Sequence, residues 1–306
     1  MKPHHEIPYI VAGMTALIHS TDTDDMQPGP VAPGLYLVST PIGNLRDITL
    51  RAIDILEGCD CVICEDTRVT AKLLNAYNIK KKMVVYNDHS DDADRDKILG
   101  HLENGKALAL VTDAGTPLVS DPGYKLVHGC FDRGIAVVPV PGANAVLPAL
   151  QLGGLPCDKF LFAGFLPSKS AARKTALTAL KTVPATLAFY ESPNRVAETV
   201  IDALEVLGDR PVAMAREITK LHEQAKHGTL AAWAADETLL GTLKGEIVLM
   251  IGAPVDTPAT EDDIADALKR AMTTMSVKDA AAHVAAMTGA QKKTVYDLAL
   301  TLKNGQ

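Results

Sequence analysis

The chain has 306 residues, 47% hydrophobic and 22% charged, with a formal net charge of −7. That is ordinary globular composition, long enough for two domains with buried cores. No apolar run approaches the roughly 18–20 residues that span a bilayer, the N-terminus does not read as a secretory signal, and five cysteines make no extracellular disulfide framework. The expectation is a soluble, reduced, cytoplasmic protein with no membrane partner. Acidic balance argues against a uniformly basic surface but permits a local patch that attracts phosphates.

Residues 1–33, with Thr21-Asp22-Thr23-Asp24-Asp25 and Pro28-Gly29-Pro30, read as a flexible extension. The periodic fold begins at Gly34–Ser39. Strand-length apolar runs follow at Cys59–Cys64, Lys82–Tyr86, Ala107–Val111 and Ile135–Val140. Helical patterns lie between or after them at Leu50–Leu56, Val69–Tyr77, Arg95–Glu103, Gly123–Arg133 and Ala143–Leu152. Continuous β-α alternation with two-sided apolar strands predicts an α/β domain over 34–155, its parallel sheet covered by helices. A second α/β domain is predicted over 156–255. Its strands are Lys159–Phe162, Ala185–Tyr190, Pro211–Arg216 and Glu246–Ile251, and its helices Ser170–Lys181, Arg195–Leu207 and Thr229–Leu240. Residues 256–306 are Ala-rich and helical in period, a small appendage in which Val277–Met287, a Thr288-Gly289-Ala290 turn and Gln291–Leu302 make a helix-turn-helix-like pattern.

Ligands of open parallel sheets sit beyond the carboxyl ends of the strands, and four polar, Gly- and Pro-rich turns fall there. They are Ser39–Asp47, Glu65–Arg68, Thr112–Pro117 running on to Gly123, and Pro139–Ala145. Any one of them is an ordinary structural turn. Together they describe a pocket for a polar ligand of nucleotide size, with glycines for close backbone approach and helix N-termini offering N–H groups. Neither the Gly-x-x-x-x-Gly-Lys-Ser/Thr loop nor Gly-x-Gly-x-x-Gly after the first strand is present, which disfavours a P-loop NTPase and an ordinary dinucleotide dehydrogenase.

Seven stretches in order carry a resemblance to a known family: Ser39–Thr49 (STPIGNLRDIT), Cys64–Arg68 (CEDTR), Asp113–Gly123 (DAGTPLVSDPG), Val138–Ala143 (VPVPGA), Gly164–Pro167 (GFLP), Phe189–Arg195 (FYESPNR) and Ala215–Lys220 (AREITK). From Gly34 to about Pro254 the chain resembles the tetrapyrrole-methylase superfamily and, within it, the ribosomal RNA small subunit methyltransferase I family. The resemblance implies a two-domain tetrapyrrole-methylase-like fold, with a parallel-sheet first domain and a mixed-sheet second domain. It implies S-adenosylmethionine as cofactor in the cleft between them, a homodimer, and 2′-O-methylation of a cytidine in the decoding region of 16S ribosomal RNA. Thr40-Pro41-Ile42-Gly43-Asn44 stands where other superfamily members carry a Gly-x-Gly-Pro-Gly loop, which counts against a corrin-ring methylase. A non-catalytic, RNA-binding assembly factor is the reading from another class, and the intact Asp113–Pro117 and Pro141–Ala145 loops weigh against it.

The same resemblance implies a cofactor site of Pro41, Asp113, Gly115, Thr116, Pro117, Val119, Gly142, Ala143, Asn144 and Ala145, with Tyr190 and Arg216 on the adenosine side. A ribose hydroxyl is a weak nucleophile that benefits from a general base, for which Glu65, Asp66 and His89 are candidates. Arg68 suits phosphate through its planar fork; a helix cap with a structural ion pair is the alternative account of Glu65–Arg68, and the functional one is preferred. Asn44, Lys169, Arg173, Lys174, Lys292 and Lys293 complete the candidate RNA contacts, although a solvated helix face explains the first lysine group equally simply. Residues 260–306 hold six Lys/Arg and six Asp/Glu, so charge alone does not mark the appendage as an RNA binder. Cys59, Cys61 and Cys64 lack a second cysteine pair at zinc spacing; core packing is expected, and no metal.

Overall fold

The computed structural model describes residues 30–87, 89–236, 243–254 and 261–304. Most of the predicted N-terminal extension and the end of the predicted Thr229–Leu240 helix lie outside them. The chain divides into two units, residues 1–253 and 254–306.

Within the first unit, strands β1 (Gly34–Val38), β2 (Cys61–Cys64), β3 (Met83–Val85), β4 (Ala107–Val111) and β5 (Val137–Val140) form one sheet, in the order β3-β2-β4-β1-β5. All its pairings are parallel. Alternation explains the packing: Tyr36, Val38, Ala107 and Ala109 face one core with Leu56 of α1 (Leu50–Gly58) and Leu74 of α2 (Thr67–Ala76). Leu35, Leu108 and Leu110 face the other, against Leu99 of α3 (Asp92–Glu103) and Leu126 of α4 (Tyr124–Asp132). Every residue of β4 is buried, as a strand covered on both faces requires.

The second sheet joins β6 (Phe160–Phe165), β7 (Thr186–Glu191), β8 (Pro211–Arg216), β9 (Gln224–Thr229) and β10 (Ile247–Ile251), in the order β6-β7-β10-β8-β9. Only β6–β7 is parallel, so the sheet is mixed. Helices α6 (Ser170–Leu180), α7 (Val196–Leu207) and α8 (Leu230–Ala235) cover one face, burying Leu177, Val200 and Trp233 against Leu187, Phe189 and Leu249. The other face carries Ala188, Ala213, Ala215, Val248 and Met250. It receives Val146, Ala149 and Leu150 of α5 (Val146–Gly153). The alanines let this helix approach closely, and burying Leu150 alone is worth about 1.5–3 kcal/mol. Helix α5 therefore ties the end of the first sheet to the face of the second.

The unit of residues 254–306 contains α9 (Glu261–Ala271), α10 (Val277–Thr288) and α11 (Lys292–Asn304). They pack around Leu268, Ala281, Val284, Val295 and Ala299. Ser276 caps α10 by accepting from Asp279 N (3.2 Å), and Gly289 ends it in the left-handed conformation, the usual signals for a helix boundary.

Two expectations need correction. Strand β9 replaces what the sequence left unassigned: Gln-Ala-Lys-His-Gly-Thr lies at a sheet edge, half exposed, so no apolar alternation marks it. Cys59 is not in a strand but ends α1, and β2 begins at Cys61. Cys59 and Cys64 lie in one core while Cys61 packs on the other, and burial pushes the Cys59 thiol up to about 11. Such a thiol is protonated at neutral pH and behaves as packing. Among the described residues, no helix is long and apolar enough to cross a membrane, and no three His, Cys, Asp or Glu side chains are grouped to hold a metal.

Candidate functional site

Parallel strands deliver their following loops to one edge, and the four turns singled out from the sequence follow β1, β2, β4 and β5 there. They are latched together by hydrogen bonds. Thr40 N donates to Gly115 O (2.8 Å) and Gly115 N to Thr40 O (3.0 Å), an isolated antiparallel bridge. The Ser39 hydroxyl reaches Thr116 Oγ1 (3.2 Å), whose own hydroxyl donates to Ala143 O (3.1 Å). Thr40 Oγ1 donates to Thr112 O (3.1 Å). Loops after three separate strands thus hold one backbone shape.

That shape is strained in places. Gly115 has φ +91°, which favours glycine, while Leu118 and Ser120 occupy φ +72° and +69°. For residues with a Cβ such conformations cost of order 1–3 kcal/mol and persist where surrounding contacts over-determine them.

Between this edge and the second sheet lies a cleft of about 390 Å³, a size suited to a small-molecule ligand. The first-sheet side contributes Glu65, Asp113, Gly115, Thr116, Val119 and Ala145; the second contributes Phe165, Tyr190, Ser192, Ile218, Glu246 and Val248. Partial burial and then the charge of Asp66 push the Asp113 carboxyl above its ordinary value. Burial, with the negative charges of Asp121 and Glu246, raises the Tyr190 phenol. On the second-sheet side the lining residues Ile218, Ile247 and Val248 are buried and apolar, beside the polar Ser192 and Glu246.

Residues 34–234 match the tetrapyrrole (corrin/porphyrin) methylases, and residues 258–303 match the RsmI C-terminal HTH domain. A ribosomal RNA small subunit methyltransferase I from Mesorhizobium japonicum is 49% identical over 90% of this chain and 94% of its own length. The protein of the same name from Escherichia coli O157:H7 is 43% identical over 87% and 94%. The chain belongs to the ribosomal RNA small subunit methyltransferase I family. The fold is shared with solved tetrapyrrole methylases. Uroporphyrin-III-C-methyltransferase from Thermus thermophilus superposes with a TM-score of 0.52 at 21% identity, covering 72% of this chain and 94% of that one. Cobalt precorrin-4 methyltransferase superposes with 0.53 at 18% identity, covering 71% and 94%.

In this member of the methyltransferase I family, Glu65, Asp113, Gly115, Thr116, Val119, Ala145 and Tyr190 come together on the cleft wall. Ala143 accepts from Thr116, and a Cβ added at Gly142 would lie 2.9 Å from Ser39 Cβ, so both join the turn after β5 to the loops that line the cleft. Asn144 Oδ1 accepts from Val146 N (2.8 Å) and Leu147 N (3.3 Å), capping α5. Pro117 is buried, and Pro41 is half-buried beside the wall residue Ile42. Arg216 donates to Lys244 O (3.0 Å), bracing the turn at Gly245. Asn44 accepts from Arg46 N (3.1 Å) within a 3-10 turn at Leu45–Asp47.

Among the proposed bases only Glu65 lies in the cleft, where it accepts from the Thr112 hydroxyl. Asp66 caps α2 and holds Arg68 in a fork, Nη2 to Oδ2 at 2.6 Å. The side-chain and backbone bonds from Arg68 hold Asp66 at about 2, too acidic to take a proton efficiently near neutrality; the cap-and-pair account of Asp66 stands and its assignment as a base falls. His89 is exposed in the loop after β3, its N–H bonded to Asn87 Oδ1 (3.0 Å), away from the cleft wall. Arg68, although forked onto Asp66, is 87% exposed at its side chain, so a phosphate can reach it from solvent.

The α6 basic group needs the largest correction. Arg173 is 1% exposed and bonded to Asp202 Oδ2 at 2.7 Å; it is an interior ion-pair residue, not an RNA contact. Lys174 is paired with Glu205 (2.6 Å). Lys169 is exposed at the N-terminus of α6, and Lys292 and Lys293 are exposed at the start of α11. The sequence reading did not assign Phe165, Ser192 or Ile218 to the cleft, although all three lie inside the family motifs; motif membership was their only signal.

The raised Asp113 carboxyl gives a testable sign. Its folded value lies above its unfolded value, so its charge opposes folding at neutral pH, and that opposition fades as pH falls toward and below the unfolded value near 4. Asp113→Asn is expected to raise the melting temperature slightly at pH 7, with the difference from the parent vanishing at pH 3 in thermal melts. A lower melting temperature at pH 7 would refute the direction assigned to the Asp113 shift.

Proposed function

We propose that this chain uses S-adenosylmethionine to 2′-O-methylate the ribose of a cytidine in the decoding region of 16S ribosomal RNA, acting on the RNA or the small subunit as a cytoplasmic homodimer. The observation that carries the reading is the latched Asp113–Pro117 loop lining a cleft of about 390 Å³ together with the apolar Ile218, Ile247 and Val248. The residues suit the cofactor: Asp113 offers a carboxylate for its ammonium group, the Gly115 backbone allows close approach, and Ile218 and Val248 offer apolar surface for adenine. The substrate in this proposal follows the names of the relatives and the resemblance of the seven motifs.

When bound, S-adenosylmethionine supplies a methyl group on a positively charged sulfur, and most of the catalysis of such a transfer is positioning. This chain's part is to orient the ribose and remove its proton. Glu65, held by Thr112, accepts the 2′-hydroxyl proton as the oxygen gains its methyl. Arg68, exposed beside Asp66, steadies a phosphate. The C-terminal helices, with Lys292 and Lys293, add backbone contacts to RNA.

The test is calorimetry with S-adenosylmethionine, followed by labelled cofactor with purified small subunits, naked RNA and a corrinoid. Binding, with label in 16S ribosomal RNA at a cytidine ribose, is expected. No binding would indicate an assembly factor, and label only in the corrinoid a tetrapyrrole methylase. Arg68→Ala should raise the KM for RNA about 5-fold and reduce the salt slope of RNA binding by about one, with kcat little changed. An unchanged KM and slope would remove Arg68 from the substrate site.

A further inference from the structure

Strand β6 carries an irregularity that its sequence parity does not explain. In the pairing with β7, Phe160, Leu161 and Phe162 oppose Thr186, Leu187 and Ala188, but Phe165 opposes Tyr190. Three steps along β6 therefore match two along β7, an inserted residue in a parallel pair, with Gly164 at φ +63°. Side chains alternate along a strand, so without the insertion Phe165 would share the face of Leu161, against α6 and α7. With it, Leu166 takes that face and is buried in the helix-side core. Phe165 swings to the face of Phe162, and both rings pack on Tyr190, at 4.8 Å for Phe162 and 5.4 Å for Phe165. Bulges at sheet edges re-aim side chains in this way, often beside active sites.

The outcome is an aromatic ring 59% exposed on the wall of the cleft. Its position is fixed from behind. Arg195 Nη2 donates to Leu166 O (2.6 Å) and Pro167 O (3.2 Å), and Arg195 Nε lies 3.4 Å from Oε1 of the buried Glu191. On its other side, Gly164 sits so close to the Asp113 loop that a Cβ there would lie 3.3 Å from Ser120 Oγ.

We propose that Phe165 is the stacking platform for a nucleobase of the RNA substrate, with Arg195 as its positioning residue. The proposal rests on the RNA-methylation reading above. Sequence-directed RNA recognition works on unpaired bases splayed onto aromatic side chains. The apolar seats at Ile218, Ile247 and Val248 are buried and fit the small cofactor. Phe165 is the open ring, reached by a ligand arriving from solvent. Because Phe165 and the Asp113 loop line one cleft, a base on the ring brings its ribose toward the proposed cofactor site.

The test uses full-length F165L, which keeps an apolar side chain but removes the π face, and F165Y, which keeps both. Cofactor binding is read by calorimetry, methyl transfer to small subunits by kinetics, and binding of a short single-stranded oligoribonucleotide by fluorescence anisotropy. For F165L, the subunit KM and the oligonucleotide Kd should both rise about 5- to 150-fold, as stacking losses do, while cofactor Kd stays within about 2-fold. F165Y should behave as the parent. R195K and R195A should raise KM with cofactor Kd unchanged, the lysine less than the alanine. An F165L enzyme with parental KM and oligonucleotide affinity would overturn the proposal. So would a cofactor Kd that weakens as much as the RNA terms, which would make the ring an adenine seat. A parent protein that binds the oligonucleotide through Phe165 yet transfers no methyl to RNA would instead defeat the methylation reading and leave the platform standing.

Discussion

Gly115→Val is expected to weaken S-adenosylmethionine binding by about 100-fold and to abolish methyl transfer at ordinary cofactor concentrations. Gly115 has φ +91°, where a β-branched residue is strained by about 1–3 kcal/mol, equivalent to about 5- to 150-fold in binding if the loop must be forced into shape. For the Cβ itself space is not the obstacle, since it would meet only Ile42 Cγ2 at 3.5 Å and Ala143 O at 4.0 Å. The penalty is conformational, and its relief is a flipped peptide. A flip of the Ala114–Gly115 peptide breaks the bond from Gly115 N to Thr40 O and with it half of the bridge that holds the Asp113 loop in shape. Gly115→Ala should show the same effect more weakly. Gly134→Ala is the control, because Gly134 also has positive φ, +65°, but nothing near its Cβ position; it should lose about 1 kcal/mol of stability with cofactor affinity intact. Calorimetry on the three variants decides it. Gly115→Val binding as tightly as the parent would mean that this loop does not hold the cofactor.

The legible parts of this molecule were those where one physical rule acts alone. Strands β1, β2 and β4 announce themselves because burial on both faces leaves uninterrupted apolar runs, and α/β alternation then forces the polar turns to a single edge. The Asp113–Gly123 and Glu65–Arg68 turns were found that way. Strand β9 was not, because an exposed edge strand need not alternate. Arg173 was misread although its signal was present: Arg173, Leu177 and Leu180 are spaced i, i+4, i+7, one helical face, and Leu177 is fully buried. A charged residue on an apolar stripe belongs to an internal pair, and Glu198 and Asp202, one turn apart on α7, supply it. Asp66 likewise stands directly before α2, at the cap position. Phe165 lay beyond this kind of reading, because one inserted residue reverses every later side chain in the strand, and Gly164 alone does not announce the insertion.

Asp202→Ala is expected to cost about 3 kcal/mol of stability, the low end of the range for removing one partner of a buried ion pair. Arg173 Nε donates to Asp202 Oδ2 (2.7 Å), and their side chains are 1% and 7% exposed. The substitution leaves a guanidinium inside the α6–α7 interface with Ser168 O at 3.2 Å and the more exposed Glu198 at 3.3 Å as remaining partners. It also strips the Ser170 hydroxyl of its acceptor, Asp202 Oδ1 at 3.0 Å. At roughly 2–4 °C per kcal/mol for a domain of this size, the melting temperature should fall by about 6–12 °C. Glu205→Ala is the comparison: its pair with Lys174 is exposed and worth at most about 1 kcal/mol. The double variant Arg173→Met/Asp202→Leu removes both charges and should recover most of the loss, since an apolar replacement of a buried pair is often neutral. If Asp202→Ala melts no lower than Glu205→Ala, the pair is not what fastens α6 to α7. A recovering double variant would establish that the cost lies in the orphaned charge, which is why Arg173 holds that helix pair behind β7 and is spent before any RNA arrives.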